Sequence, residues 1–134
     1  SSGPFWASAE YYRADVDVEA TSHDPTFHAW AVQAGWFLTG ESRPYNAKKG
    51  TFDRITPKKD FDGEGGAGAW EVAARYDGLD LTDEAIDGGE MRILTIGVNW
   101  YLNPNTKVQL DWVHSHIYDM GRMDGIEMRF QVDF

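Results

Sequence analysis

Half of the basic side chains in this sequence fall in one short stretch. Arg43, Lys48, Lys49, Arg54, Lys58 and Lys59 are six of the twelve Lys and Arg residues, and only Asp53 opposes them between positions 43 and 59. That stretch is locally +5 (six minus one) in a chain whose formal net charge is −10. The chemistry open to such a cluster is electrostatic. Lining a confined space, it concentrates anions, because low-dielectric walls focus the field. As a solvated loop, the same lysines only keep the segment in water. On the residues alone both readings stay open.

The other clusters are weaker. Asp60-Phe61-Asp62-Gly63-Glu64-Gly65, followed by Glu71, has the acid spacing of a calcium loop, with Gly at its sixth position. Yet no helical pattern flanks it, Ala67 stands where a large apolar residue is usual, and Glu71 belongs to a strand pattern. The match is read as chance. His114 and His116 share a strand face near Asp119, but two ligands without a secured third do not make a metal site. No nucleophile elbow, phosphate loop or HExxH motif occurs, so the sequence supports neither an enzyme nor a cofactor. With no cysteine, disulfides and thiolate metal sites are excluded.

The elements that must position these residues show period two rather than 3.6. Ile126, Met128, Phe130 and Val132 alternate with Glu127, Arg129, Gln131 and Asp133. Val108, Leu110 and Trp112 alternate with Lys107, Gln109 and Asp111, and Leu94, Ile96, Val98 and Trp100 with Thr95, Gly97 and Asn99. Trp70, Val72, Ala74 and Tyr76 oppose Glu71, Arg75 and Asp77; Trp30, Val32, Ala34 and Trp36 oppose Gln33 and Gly35; Phe5 to Tyr11 is less regular. The pattern predicts six strands, near 4–14, 27–39, 68–78, 91–102, 107–117 and 124–134. They are longer than the five or so residues usual in soluble sheets, and suit strands tilted across a membrane. Aromatics near their ends (Trp36, Trp70, Tyr76, Trp100, Tyr101) fit girdles at the water interfaces. A soluble β-sandwich that binds a ligand or carbohydrate, or a small barrel that oligomerises to close, shares much of this pattern.

The connections alternate. Asn103-Pro104-Asn105-Thr106 is a tight turn, whereas Leu79 to Glu90 and the Asp119–Arg122 region read as longer loops at the opposite end. The exception is Gly40 to Gly66, 27 residues on the tight-turn side that carry the basic cluster; connections of this length are usually functional. In a barrel, one face would line the lumen with Glu71, Arg75, Lys107, Asp111, Glu127 and Arg129. Glu10, Gln33, Asp77, Asn99, Gln109, Gln131 and Asp133 share their parity. No apolar run reaches the ~20 residues of a spanning helix. The acidic balance argues against nucleic acid as a partner. Ser1-Ser2-Gly3-Pro4-Phe5 is not a signal peptide, so export would imply a leader removed or lying upstream.

Four stretches, in order, resemble the phosphate- and polyphosphate-selective porins of bacterial outer membranes. They are Gly35-Trp36-Phe37-Leu38-Thr39-Gly40-Glu41-Ser42-Arg43-Pro44-Tyr45, Gly68-Ala69-Trp70-Glu71-Val72-Ala73-Ala74-Arg75-Tyr76, Gly97-Val98-Asn99-Trp100-Tyr101-Leu102-Asn103-Pro104-Asn105 and Lys107-Val108-Gln109-Leu110-Asp111. The resemblance implies an all-β fold, an antiparallel transmembrane β-barrel meander forming the last six of sixteen strands in a homotrimeric channel. It also implies an outer-membrane location, contact with lipid and lipopolysaccharide, and small ions or solutes as cargo. Phe134, with apolar residues at every second position before it, would be the signal read by the barrel-insertion machinery. The family's basic pore ladder belongs to strands that would lie upstream of Ser1, so phosphate selectivity does not carry over from the residues present.

Overall fold

A computed structural model describes residues 2–16, 25–48, 50–83 and 86–134. Among them every regular element is a strand: β1 (Phe5–Asp15), β2 (Thr26–Phe37), β3 (Tyr45–Asn46), β4 (Thr51–Phe52), β5 (Ala69–Asp83), β6 (Ile86–Asn103), β7 (Thr106–Ile117) and β8 (Gly121–Val132). Six of them form one antiparallel sheet in the order β1-β2-β5-β6-β7-β8, each neighbour being the next long strand in sequence. β3 and β4 make a separate small hairpin inside the long connection.

Register makes the period-two pattern physical. Trp36 pairs with Val72, Val72 with Val98, Val98 with Leu110 and Leu110 with Met128, so one apolar row crosses five strands. One residue along, Phe37 pairs with Glu71, Glu71 with Asn99, Asn99 with Gln109 and Gln109 with Arg129. Directly paired residues share a face. The sheet therefore has an apolar face and a polar face, and each of the thirteen residues of polar parity named above lies on the latter. The apolar face is uncovered: Val32, Trp36, Ile96, Leu110 and Trp112 are 40–51% exposed in the middle of the sheet.

The six predicted strands each have a counterpart, with two corrections. Leu79 to Glu90, expected as a loop, is a ladder: Leu79 pairs with Met91, Asp80 with Glu90, Thr82 with Asp87 and Asp83 with Ile86. Its Asp and Gly content disguised the alternation of Leu79 and Leu81 with Asp80 and Thr82. The glycines serve a register shift between Asp80 and Thr82, where a Cβ at Gly88 would meet the Leu81 carbonyl oxygen at 2.3 Å. The second correction is at the last strand, which starts earlier and ends at Val132. Asp133 still donates its N–H to the Asn105 carbonyl at 2.8 Å, but Phe134 lies beyond the ladder and is fully exposed. His23 and Asp24, between the first two predicted strands, lie outside the described residues.

At one end of the sheet lie Pro4, Asp133, the Asn103–Thr106 turn and the connection from 38 to 68. Phe37 N–H bonds to Pro4 O (3.0 Å), Leu38 N–H to Trp70 O (2.8 Å) and Phe61 N–H to Leu102 O (2.7 Å). Here the molecule has its one buried apolar cluster among the described residues: Trp6, Phe37, Ile55 and Ala69, with Ala73 and Tyr101 against it. All but Ile55 belong to the polar face, so the connection folds back onto that face. Its Ile55 side chain packs into this cluster, and burying one such residue contributes about 1.5–3 kcal/mol.

Candidate functional site

The connection and the polar face together build the site. β3 and β4 bring Tyr45 against Phe52, rings edge to face at 5.3 Å. Arg43, just before this hairpin, sets its guanidinium 4.1 Å from the Trp6 ring centroid and 4.4 Å from that of Phe52. Trp6 can lie flat along the sheet because Gly35 is its neighbour across the strands; a Cβ there would approach the indole to 2.4 Å. Arg43 is thus clamped between two aromatic faces, an arrangement that holds a cation without neutralising it. It borders a hollow of about 290 Å³ on the polar face, which Arg75, Lys107, Asn99, Gln109 and Asp111 also line.

The floor of the site is fixed by Glu71, which is 2% exposed. Its carboxylate accepts from Trp6 Nε1 at 2.6 Å, Asn99 Nδ2 at 2.9 Å and Tyr101 Oη at 2.8 Å. Three donors satisfy a charge that would otherwise be costly to bury. Glu71 therefore positions Trp6, and through it Arg43, and its oxygens are committed. Glu41, also buried, does the same for the connection: it accepts from Thr39 Oγ1 and from the Lys58 N–H, while Lys58 Nζ reaches the Thr39 carbonyl at 3.1 Å.

The basic stretch is dispersed rather than clustered. Of the five that are described, Arg43 alone lines the hollow. Arg54 donates to Asn105 Oδ1 at 2.7 Å, tying the connection to the β6–β7 turn. Lys58 is bonded as above, Lys48 and Lys59 are exposed, and Lys49 lies outside the described residues. On the wall, Arg75 is paired with Asp77 at 2.7 Å and Arg129 with Glu127 at 3.2 Å. Asp111 stands directly opposite Glu127, and Lys107 lies 5.6 Å from the Tyr101 ring. Neighbouring wall charges thus partly cancel, while Arg43 and Lys107 have no salt bridge among the described residues.

The acidic turn after the basic stretch has a structural use. Asp62 Oδ1 accepts the N–H groups of Glu64, Gly65 and Gly66 at 2.8, 2.9 and 2.9 Å. The donors, Gly66 foremost, hold its carboxyl below the ordinary value of 3.8. Glu71, the supposed twelfth position of a calcium loop, points to the polar face with its own partners. On either side of the turn the chain meets the rim of the apolar face. Phe61 packs edge-on to Trp100 at 4.9 Å, Trp70 and Trp100 stack at 5.1 Å, and both indoles donate to the Ala67 carbonyl. His114 and His116 lie on the apolar face, and His114 Nδ1 is 2.9 Å from Asp124.

Sequence reasoning missed Trp6 and Phe52 as the clamp. The available signal was parity: Trp6 and Phe37 are aromatics at positions where their strands otherwise turn polar side chains, so something apolar had to cover them.

A family model described as phosphate-selective porin O and P matches residues 1–134. The chain is 30% identical over 121 residues to Porin O of Pseudomonas aeruginosa, covering 83% of this chain and 26% of that protein. It is 36% identical over 99 residues to an uncharacterized protein of Caulobacter vibrioides, covering 74% of this chain and 19% of the other. The chain thus spans about a quarter or less of the curated relatives it matches.

Proposed function

Because this chain belongs to the phosphate-selective porin O and P family, we propose that it is one wall of an outer-membrane channel that passes small solutes, anions such as phosphate among them, by passive diffusion. The six strands are then adjacent staves of a sixteen-stranded barrel completed by the rest of the polypeptide. The apolar face meets lipid, the polar face meets the pore, and the end holding Pro4 and Asp133 faces the periplasm. Homotrimer formation, contact with lipopolysaccharide and recognition of Phe134 by the insertion machinery are part of the same proposal. No reaction is catalysed; the solute gradient drives transport, and pore width with wall charge sets selectivity.

The observation that carries this reading is the clamp on Arg43. A connection that only joined two strands would not be folded onto the polar face, nor hold a guanidinium between two rings at a hollow lined by polar wall residues. In the barrel it narrows the periplasmic mouth and presents a fixed cation to permeating ions. A soluble sandwich is disfavoured by the bare apolar face, since such a sheet needs a second layer. The test is reversal potential across a KCl gradient in dilute salt, using the complete porin. Arg43→Gln should shift selectivity toward cations, and Lys48→Gln/Lys59→Gln, on the exposed side, should shift it less. An unchanged potential in Arg43→Gln leaves the connection a structural plug and returns selectivity to other strands.

A further inference from the structure

On the apolar face, a row of basic side chains interrupts the pattern. Arg92 is paired with His116 and His116 with Arg122, side by side on β6, β7 and β8. A charge turned toward lipid is disfavoured unless it sits at the polar boundary. The row is at that boundary. Trp30 lies in it, its indole over Gly78 and 5.5 Å from the Arg92 guanidinium carbon, and Tyr11 is the next residue across. Trp70 and Trp100 mark the other girdle, eight residues away along β5. That is about 26 Å of strand, or about 20 Å of depth once tilted.

Local acids offset the row only in part. Glu90 lies 3.7 Å from Arg92 and Asp124 pairs with His114 one row below, while Arg122 has no ion pair among the described residues. Toward mid-depth the row opens into a groove of about 620 Å³ whose other walls are Tyr76, Leu94, Tyr118 and His114. Two guanidinium groups stand at its rim, and toward the centre Leu94 and the Tyr76 ring make an apolar side opposite His114.

We infer that Arg92, His116 and Arg122 bind the phosphate of a membrane lipid, one of whose chains runs down the groove over Leu94 and Tyr76. The inference rests on the membrane reading above. A free phosphate would use the cations and leave the apolar half of the groove idle. A lipid matches both halves and supplies the anion that the row lacks.

Native mass spectrometry of the complete porin, titrated with phosphatidic acid, with diacylglycerol of the same chains and with inorganic phosphate, tests this. Wild-type protein should retain phosphatidic acid about tenfold better than diacylglycerol, the worth of one charge-assisted hydrogen bond. Arg92→Gln/His116→Gln/Arg122→Gln should lose that preference, Arg92→Lys/Arg122→Lys should keep it, and channel conductance should stay unchanged in both. Equal retention of the two lipids by the wild type overturns the proposal even if the glutamine variant fails to fold. So does undiminished preference in that variant, or displacement of the lipid by an equal concentration of inorganic phosphate. Failure of the wild type to conduct in a planar bilayer would instead sink the channel reading.

Discussion

A charge placed at Ile96 meets a different medium from one placed at Thr95. Ile96 is in the apolar row between Ala74 and Trp112, and Thr95 is in the polar row between Arg75 and Val113. Facing lipid near mid-depth, Ile96→Arg should cost about 2–4 kcal/mol. Thr95→Arg meets water and one like charge, which costs under about 1 kcal/mol. Denaturant titration of folding into vesicles measures both, and equal tolerance would mean that the sheet is inside out. A second residue-scale expectation concerns Asp62. Its carboxyl is depressed by three backbone donors, so its contribution to the 62–66 turn is present above the unfolded value and is lost as pH falls through the folded one. The amide proton shifts of Glu64, Gly65 and Gly66 should titrate together with a midpoint below 3.8, and Asp62→Asn should abolish that titration.

At the scale of elements, the end of β8 and the long connection behave differently. Phe134 touches nothing that the ladder holds, for β8 stops at Val132. Deleting it should reduce the amount of porin inserted in cells and leave the heat resistance of the inserted fraction almost unchanged. Gel mobility of unheated samples reads both quantities. Normal insertion without Phe134 would refute its role as an assembly signal. The connection from 40 to 66, by contrast, is bound at many points: Ile55 in the cluster, Arg54 on Asn105, Lys58 on Thr39, Phe61 on Trp100. Such an element is fixed to the sheet rather than free to swing as a lid.

For the whole molecule, range decides which charges matter. Screening length is about 10 Å at 0.1 M salt and about 3 Å at 1 M. The selectivity change on replacing Arg43 should therefore be clear in dilute KCl and fade in concentrated KCl. A shift that persists at 1 M would point to altered pore width instead. The net charge of −10 does not oppose local anion selectivity, because paired wall residues such as Arg75 with Asp77 and Arg129 with Glu127 largely cancel at short distance.

The sequence by itself determined the strands and their faces. Side-chain alternation has a period of exactly two residues, so the medium on each side is written directly in the order of apolar and polar types. That is why Trp36, Val72, Ile96, Leu110 and Phe130 could be assigned to one face and Glu71, Asn99 and Arg129 to the other before any pairing was known. It also marked the 40–66 connection as unusual, through length and charge. Only the tertiary structure decided where that connection runs. Its path carries no periodicity, and it is set by contacts 30 or more residues apart in sequence: Arg43 with Trp6, Arg54 with Asn105, Phe61 with Trp100. The same holds for Glu71, legible as a wall residue but not as a buried anchor, because burial there comes from a segment that local pattern cannot place. Leu79 to Glu90 was misread for the converse reason. Above the apolar band both faces of a hairpin meet water, so acids and glycines are tolerated in strands and the alternation that betrays them thins out.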